Sequence, residues 1–199
     1  MPESPSKDPL VWIDCEMTGL DIENDVILQI ACFITDANLN LLEPNGFEIV
    51  VHHEKPVLDA MDPWCTRTHE KSGLTAAVLA STVTPEQAAE ALLAYVTSLV
   101  PTPHKALLAG NTVHADKAYL RQAPYNTLIE HLHHRILDVS AIKEAARRWA
   151  DPGVLARIPR KKALHEARTD ILESIEEARF YRDAFFRRPE GEAESVESA

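Results

Sequence analysis

The spacing of apolar and polar positions divides the chain into a strand-rich beginning and a helix-rich remainder. Leu10 to Cys15 is an apolar run that ends at an acidic pair. Val26 to Thr35 (VILQIACFIT) is a longer run, closed by the turn-rich Asp36-Ala37-Asn38-Leu39-Asn40. Phe47 to His52 (FEIVVH) alternates and is β-branched. These three segments read as an antiparallel meander. Beyond them the period lengthens. Thr84-Pro85 is an N-cap and N1 pair, and Ala88, Ala89, Leu92, Leu93, Val96, Leu99 and Val100 form one apolar helical face. Ala106 to Ala109 reads as a short buried strand closed by Gly110. His114 to Gln122 reads as a helix stopped by Pro124, and Ile136 to Val139 as another short strand. Ser140 is expected to cap a helix running to about Trp149. A loop rich in Pro, Gly and Arg follows from Asp151 to Lys162. The last helix is expected over Glu166 to Phe186, with Ile171, Ile175, Ala178 and Phe185 as its stripe.

This order predicts an α/β fold: a mixed five-stranded sheet, three antiparallel strands followed by alternating helices and strands, flanked by helices. No internal repeat or linker breaks it. A single domain is expected over residues 9–187, with a disordered segment at 1–8 and an acidic disordered tail at 188–199.

Composition narrows the function. The 199 residues are 45% hydrophobic and 26% charged, an ordinary globular balance. The net charge is -11, and only part of the excess sits in the tail with Glu190, Glu192, Glu194 and Glu197. An acidic body argues against gripping long nucleic acid by neutralising many phosphates, but allows a small substrate held by a few local cations. Cys15, Cys32 and Cys65 are scattered without metal-ligand spacing, which points to a reducing compartment. Met1 to Pro9 carries no recognisable signal or transit peptide, and no apolar run is long enough to span a bilayer. The expectation is an intracellular protein, cytoplasmic or mitochondrial, without a membrane partner.

The chemistry begins at the end of the first strand. Asp14 and Glu16 are two residues apart, so their carboxylates share one face. Two like charges beside a core are costly unless a cation lies between them, and hard oxygen ligands suit Mg²⁺ or Mn²⁺. Asp116 follows the fourth strand, and Asp170 lies early in the last helix, positions that also suit simple helix-dipole partners. His165 precedes that helix. In one ideal helix it would stand ~140° away from Asp170, so a shared site requires His165 on the loop, where it could reach in to activate water.

Five segments, taken in order, resemble the oligoribonucleases, a group of DEDDh 3′-to-5′ exonucleases in the ribonuclease H-like superfamily. They are Trp12-Ile13-Asp14-Cys15-Glu16-Met17-Thr18-Gly19-Leu20, Met61-Asp62-Pro63-Trp64 with Arg67-Thr68-His69, and Gly110-Asn111-Thr112-Val113-His114-Ala115-Asp116. His134-Arg135-Ile136-Leu137-Asp138-Val139-Ser140 and then His165 with Asp170 complete the set, which runs from about Leu10 to Phe186.

The resemblance implies a ribonuclease H-like sheet and hydrolysis of very short oligoribonucleotides, chiefly 5′-phosphorylated dinucleotides. It implies two divalent ions, Mg²⁺ or Mn²⁺, held by Asp14, Glu16, Asp116 and Asp170, with His165 as general base. Asp14 would bridge the ions, Glu16 and Asp170 would complete the tighter site, and Asp116 would support the second. Leu20 and Trp64 would contact the bases, and Thr112, Arg135 and Ser140 would cap the 5′-phosphate. His69 would support the scissile region. A homodimer is implied, in which the residue at position 134 serves the neighbouring subunit's site. Two positions depart from the bacterial pattern, which commonly has Tyr at His134 and Ser at Thr112; a kept role for His134 and a modest effect at Thr112 are expected. The basic cluster Arg157, Arg160, Lys161 and Lys162 is either a solvated loop or a phosphate attractor. Two alternatives remain open: a related exonuclease acting on longer RNA or DNA 3′ ends, and a catalytically inactive RNA-binding or scaffold protein.

Overall fold

The computed structural model describes residues 8–159 and 166–186. Five strands form one sheet in the order β3-β2-β1-β4-β5: β1 Leu10–Met17, β2 Ile27–Thr35, β3 Phe47–Val50, β4 Leu107–Gly110 and β5 His133–Asp138. The first three are antiparallel neighbours, whereas β4 and β5 run parallel to β1. The expected mixed α/β sheet is therefore present. The two sides of β1 differ in length. Its pairing with β2 runs from Leu10↔Thr35 to Met17↔Ile27, but its pairing with β4 covers only Leu10↔Leu107 to Trp12↔Ala109. Beyond Trp12 the sheet opens on the β4 side, at the carboxyl ends of parallel strands where α/β folds form crevices.

Alternation along β1 divides its side chains between two cores. Val11, Ile13 and Cys15 pack with Ile30, Cys32 and Leu108 beneath α4 (Pro85–Leu99) and α6 (Asn126–His131). Leu10 and Trp12 face the other layer, where α7 (Val139–Trp149) and α9 (Ala167–Tyr181) bring Val139, Ala146, Ile171, Ile175 and Tyr181. Trp12 is fully buried, and its indole N–H donates to Thr35 Oγ1 at 3.0 Å, so its polar end is satisfied inside the core. The α4 stripe is buried through Ala88, Ala89, Leu92 and Val96, and Thr84 closes a reciprocal capping box with Gln87.

The structure revises several boundaries. Residues 54–80, for which no helix was anticipated, form α1 (Lys55–Asp59), α2 (Pro63–Ser72) and α3 (Leu74–Ala80). Asp62 starts α2 by accepting from the Trp64 and Cys65 amides, and Gly73, at φ +82°, ends it in a left-handed turn. Leu58, Met61, Cys65, Leu74 and Val78 form a third, smaller core with Leu28. The helix expected to reach Gln122 is α5 (His114–Leu120), and α6 was not anticipated. Strand β3 ends at Val50 and β5 begins at His133. Asp138, rather than Ser140, caps α7: its carboxylate accepts from the Ser140 amide. After a short α8 (Pro152–Leu155), the last helix remains α-helical to Tyr181, and Arg182–Phe186 forms a wider π-type turn.

Candidate active site

Asp14 and Glu16 continue the β1 face that carries Leu10 and Trp12, so they point toward α9. Asp170 occupies the first turn of that helix, where the amino-terminal dipole favours a carboxylate. One oxygen from each of Asp14, Glu16 and Asp170 lies within 4.8 Å of the others. Asp116, in the first turn of α5, approaches from the opened side of β1. Its Oδ1 accepts the Cys15 amide at 2.9 Å, a donor that β4 leaves unpaired by diverging after Trp12. The four carboxylates expected to act together therefore gather at the carboxyl ends of β1 and β4.

The electrostatics show what this gathering costs. Burial pushes Glu16 up to about 7, with the charges of Asp170 and Asp116 adding to the effect. Burial likewise pushes Asp116 up to about 7, against the lowering influence of the Cys15 amide. A cation among these oxygens would reverse the balance. The donor set, carboxylate oxygens converging at short range, fits a hard divalent ion.

His69 lies against this cluster. It is 2% exposed on α2; its Nε2 donates to the Met17 carbonyl at 2.9 Å, and its Nδ1 stands 4.0 Å from Glu16 Oε2. His69 thereby tethers α2 to β1 and faces a carboxylate of the cluster. Trp64, one turn earlier on α2, is 55% exposed, and Leu20 is 81% exposed. The loop bearing Leu20 is pinned at its base. Asp25 accepts the Thr18 hydroxyl at 2.7 Å and the Asp21 amide at 2.8 Å, and the Tyr119 hydroxyl donates to the Gly19 carbonyl at 3.1 Å. A Cβ at Gly19 would meet the Asp25 carboxylate at 2.3 Å, so glycine is what lets the loop close on Asp25.

A second polar constellation lies at the ends of β4 and β5. Asp138 Oδ1 accepts both the Thr112 amide at 2.9 Å and the Ser140 amide at 3.0 Å, while Oδ2 faces His114 Nδ1 at 3.2 Å. This holds Thr112 at φ +56°, a costly left-handed backbone for a β-branched residue, and sets its hydroxyl 3.1 Å from that of Ser140. Arg135 and His134 are both exposed in a bulge of β5, where the register jumps from Leu107↔His133 to Leu108↔Ile136. The His134 ring stacks on His133, and its carbonyl accepts from Lys117 Nζ. His165 and the basic residues Arg160, Lys161 and Lys162 lie outside the described residues, as does the tail 188–199. Asp138, Asn111 and Asp25 were not singled out by sequence reasoning. Asp138 and Asn111 lie inside the quoted segments, and Asp-x-Ser before a helix was the capping signal that could have marked Asp138.

The fold and the carboxylate cluster define a class. The family model described as Exonuclease (RNase T) matches residues 11–178, and the chain belongs to that family of nuclease hydrolases. Solved structures of exonuclease I share the fold. A zinc-bound E. coli exonuclease I–single-stranded DNA complex superposes with a TM-score of 0.64 at 16% identity, covering 92% of this chain and 42% of that one. Exonuclease I of Methylocaldum szegediense gives 0.61 at 20%, covering 92% and 41%, so this chain spans about two fifths of those proteins. Within the DEDDh exonucleases, the chain groups with the oligoribonucleases. It is 45% identical over 197 residues to the mitochondrial oligoribonuclease of Saccharomyces cerevisiae, covering 96% of this chain and 72% of that one. It is 47% identical over 180 residues to the mitochondrial oligoribonuclease of Mus musculus, covering 90% and 74%. The oligoribonuclease of Corynebacterium efficiens is likewise 47% identical over 180 residues, covering 90% and 80%. Among the described residues, no helix is long and apolar enough to cross a membrane.

Proposed function

We propose that this chain is a 3′-to-5′ exoribonuclease that hydrolyses very short oligoribonucleotides, chiefly 5′-phosphorylated dinucleotides, to mononucleotides. The observation that carries the proposal is the convergence of Asp14, Glu16 and Asp170 beside Asp116 at the open end of the sheet, in a chain so similar to named oligoribonucleases. Two divalent ions, Mg²⁺ or Mn²⁺, held by these four carboxylates would supply water activation, charge neutralisation on the phosphate and stabilisation of the leaving 3′-oxygen. The protein's own groups do the rest. His165 accepts the proton of the attacking water, as an imidazole titrating near neutrality is able to do. Leu20 and Trp64 present large apolar faces to the two bases. Thr112, Ser140 and Arg135 hold the 5′-phosphate, the last with a charged fork suited to it. His69 keeps α2, and with it Trp64, in register with Glu16.

The proposal includes a homodimer in which the bulge carrying His134 serves the neighbouring site. Mixing inactive Asp14→Ala and His134→Ala subunits tests it: restored turnover in the mixture supports the shared site, and unchanged turnover by His134→Ala alone removes it. An intracellular location also belongs to the proposal, supported by three buried free thiols and by relatives named as mitochondrial and bacterial oligoribonucleases. The deciding experiment is turnover of 5′-phosphorylated RNAs from two to seven nucleotides with Mg²⁺ or Mn²⁺. The expected kcat/KM is highest at two nucleotides and falls with length. A rise with length would favour an exonuclease of longer 3′ ends.

A further inference from the structure

Helix α9 carries a second carboxylate on the face of Asp170. Glu177 lies seven residues on, two turns along the same stripe, and is 1% exposed. A carboxylate so deep in a core requires several partners. The Tyr181 hydroxyl donates to its Oε1 at 3.0 Å, Lys143 Nζ lies 3.6 Å from the same oxygen, and Asn111 Nδ2 donates to Oε2 at 3.3 Å. Ser174, between Asp170 and Glu177, accepts from the same Asn111 nitrogen at 2.7 Å while donating to the Asp170 carbonyl.

These contacts orient Asn111. A carboxylate accepts and does not donate, so the nitrogen of the Asn111 amide faces α9 and its oxygen faces the opposite way. That oxygen accepts the Ser140 hydroxyl at 3.0 Å. With the Ser140 proton committed there, Thr112 is the donor in the 3.1 Å Thr112–Ser140 pair, and its proton is the one free to swing onto an incoming phosphate. The chain of contacts runs from Glu177 through Asn111 and Ser140 to Thr112, and no step in it leaves the donor direction open.

We infer that Glu177 is a positioning residue that acts through Asn111 to set the geometry of the Thr112–Ser140 hydroxyl pair for a substrate 5′-phosphate. The inference rests on the proposed phosphate cap and adds what arms it. One helix then presents the carboxylate of the cation cluster and the carboxylate that orients the cap, so both ends of a dinucleotide are gauged from the same rigid element.

The test compares kcat and KM for a diribonucleotide bearing a 5′-phosphate with those for the same compound bearing a 5′-hydroxyl. In Glu177→Met, which keeps the bulk and removes the acceptor, the preference for the phosphorylated substrate should drop by about tenfold, the scale of one hydrogen bond to a charged group, with the change in KM. Glu177→Gln, whose amide oxygen can still accept from Asn111, should restore most of the preference. Ser174→Ala should lower it by about twofold to threefold, because Asn111 keeps one of its two anchors on α9. It is also the variant that decides the matter if Glu177→Met does not fold. An equal loss on both substrates, or an unmoved preference in the folded variants, overturns the inference and leaves the cap reading standing. A wild-type enzyme indifferent to the 5′-phosphate overturns both.

Discussion

The two ends of the site are built on opposite principles. At the end of β1, Glu16 and Asp116 are pushed up to about 7 by burial among like charges. At the ends of β4 and β5, Asp138 accepts two amides and faces a histidine, and Asn111, Ser140 and Thr112 satisfy one another in turn. On the proposed reading the cluster awaits a cation, whereas the Thr112–Ser140 pair is already hydrogen-bonded without a ligand. Charge repulsion is concentrated in the carboxylates at one end, while the other end satisfies its polar groups and carries its cost in the left-handed backbone of Thr112.

Asp14→Asn gives the sharpest test of that contrast. Turnover should fall on the order of 10³-fold, while the thermal midpoint of the metal-free protein should rise, because one crowded charge is gone. A fall in both would mean the cluster is not strained, and the comparison would fail. Trp64→Ala should raise KM for the dinucleotide by about tenfold to a hundredfold, the worth of one base stacked on an aromatic face, without changing the midpoint by more than a degree or two. Asp138→Ala strikes the assembled end. Losing the cap of α7 and the acceptor of the Thr112 amide should cost about 0.5–2 kcal/mol in denaturant unfolding and weaken selection for the 5′-phosphate together with it.

A further test of the contrast lies in pH. Glu16 and Asp116 in the folded, metal-free chain hold protons up to about 7, but the unfolded chain releases them near 4.5 and 3.8. Within that window the folded state binds more protons, so the stability these groups contribute is full below it and lost as the pH rises through 7. The midpoint measured with chelator should therefore decline as the pH rises from 5 to 7.5. Added Mg²⁺ should recover more at pH 7.5 than at pH 5, since binding displaces those protons. Equal recovery at both values would contradict the raised carboxylates.

Much of this was legible in the residues. Strands β1 and β2 announced themselves as apolar runs, because they are buried on both faces and have no polar side to obscure them, whereas the His133-His134-Arg135 start of β5 hid its first half. The carboxylates were legible for a related reason: Asp14 and Glu16 interrupt a run that otherwise belongs to the core. The helices over residues 54–80 were not. Helix α1 buries only Leu58, and α2 only Cys65 and His69, so no stripe stands out. What forms them is Asp62, Gly73 and packing beneath Leu28, and that last term is tertiary. The Asp138 cap was read as Ser140 because both are good N-cap residues and Asp138 had been assigned to the preceding strand. The task of Glu177 was hidden altogether, since nothing local distinguishes it from its exposed neighbour Glu176.

The early parting of β1 and β4 has one further consequence, for hydrogen exchange. The Cys15 amide lies in the central strand, yet its proton is held by a side chain from a different element and not by a neighbouring strand. Its protection therefore reports whether α5 is seated against the sheet. A single exchanging proton on the central strand becomes a gauge of local opening at the site, readable without substrate and separable from global unfolding.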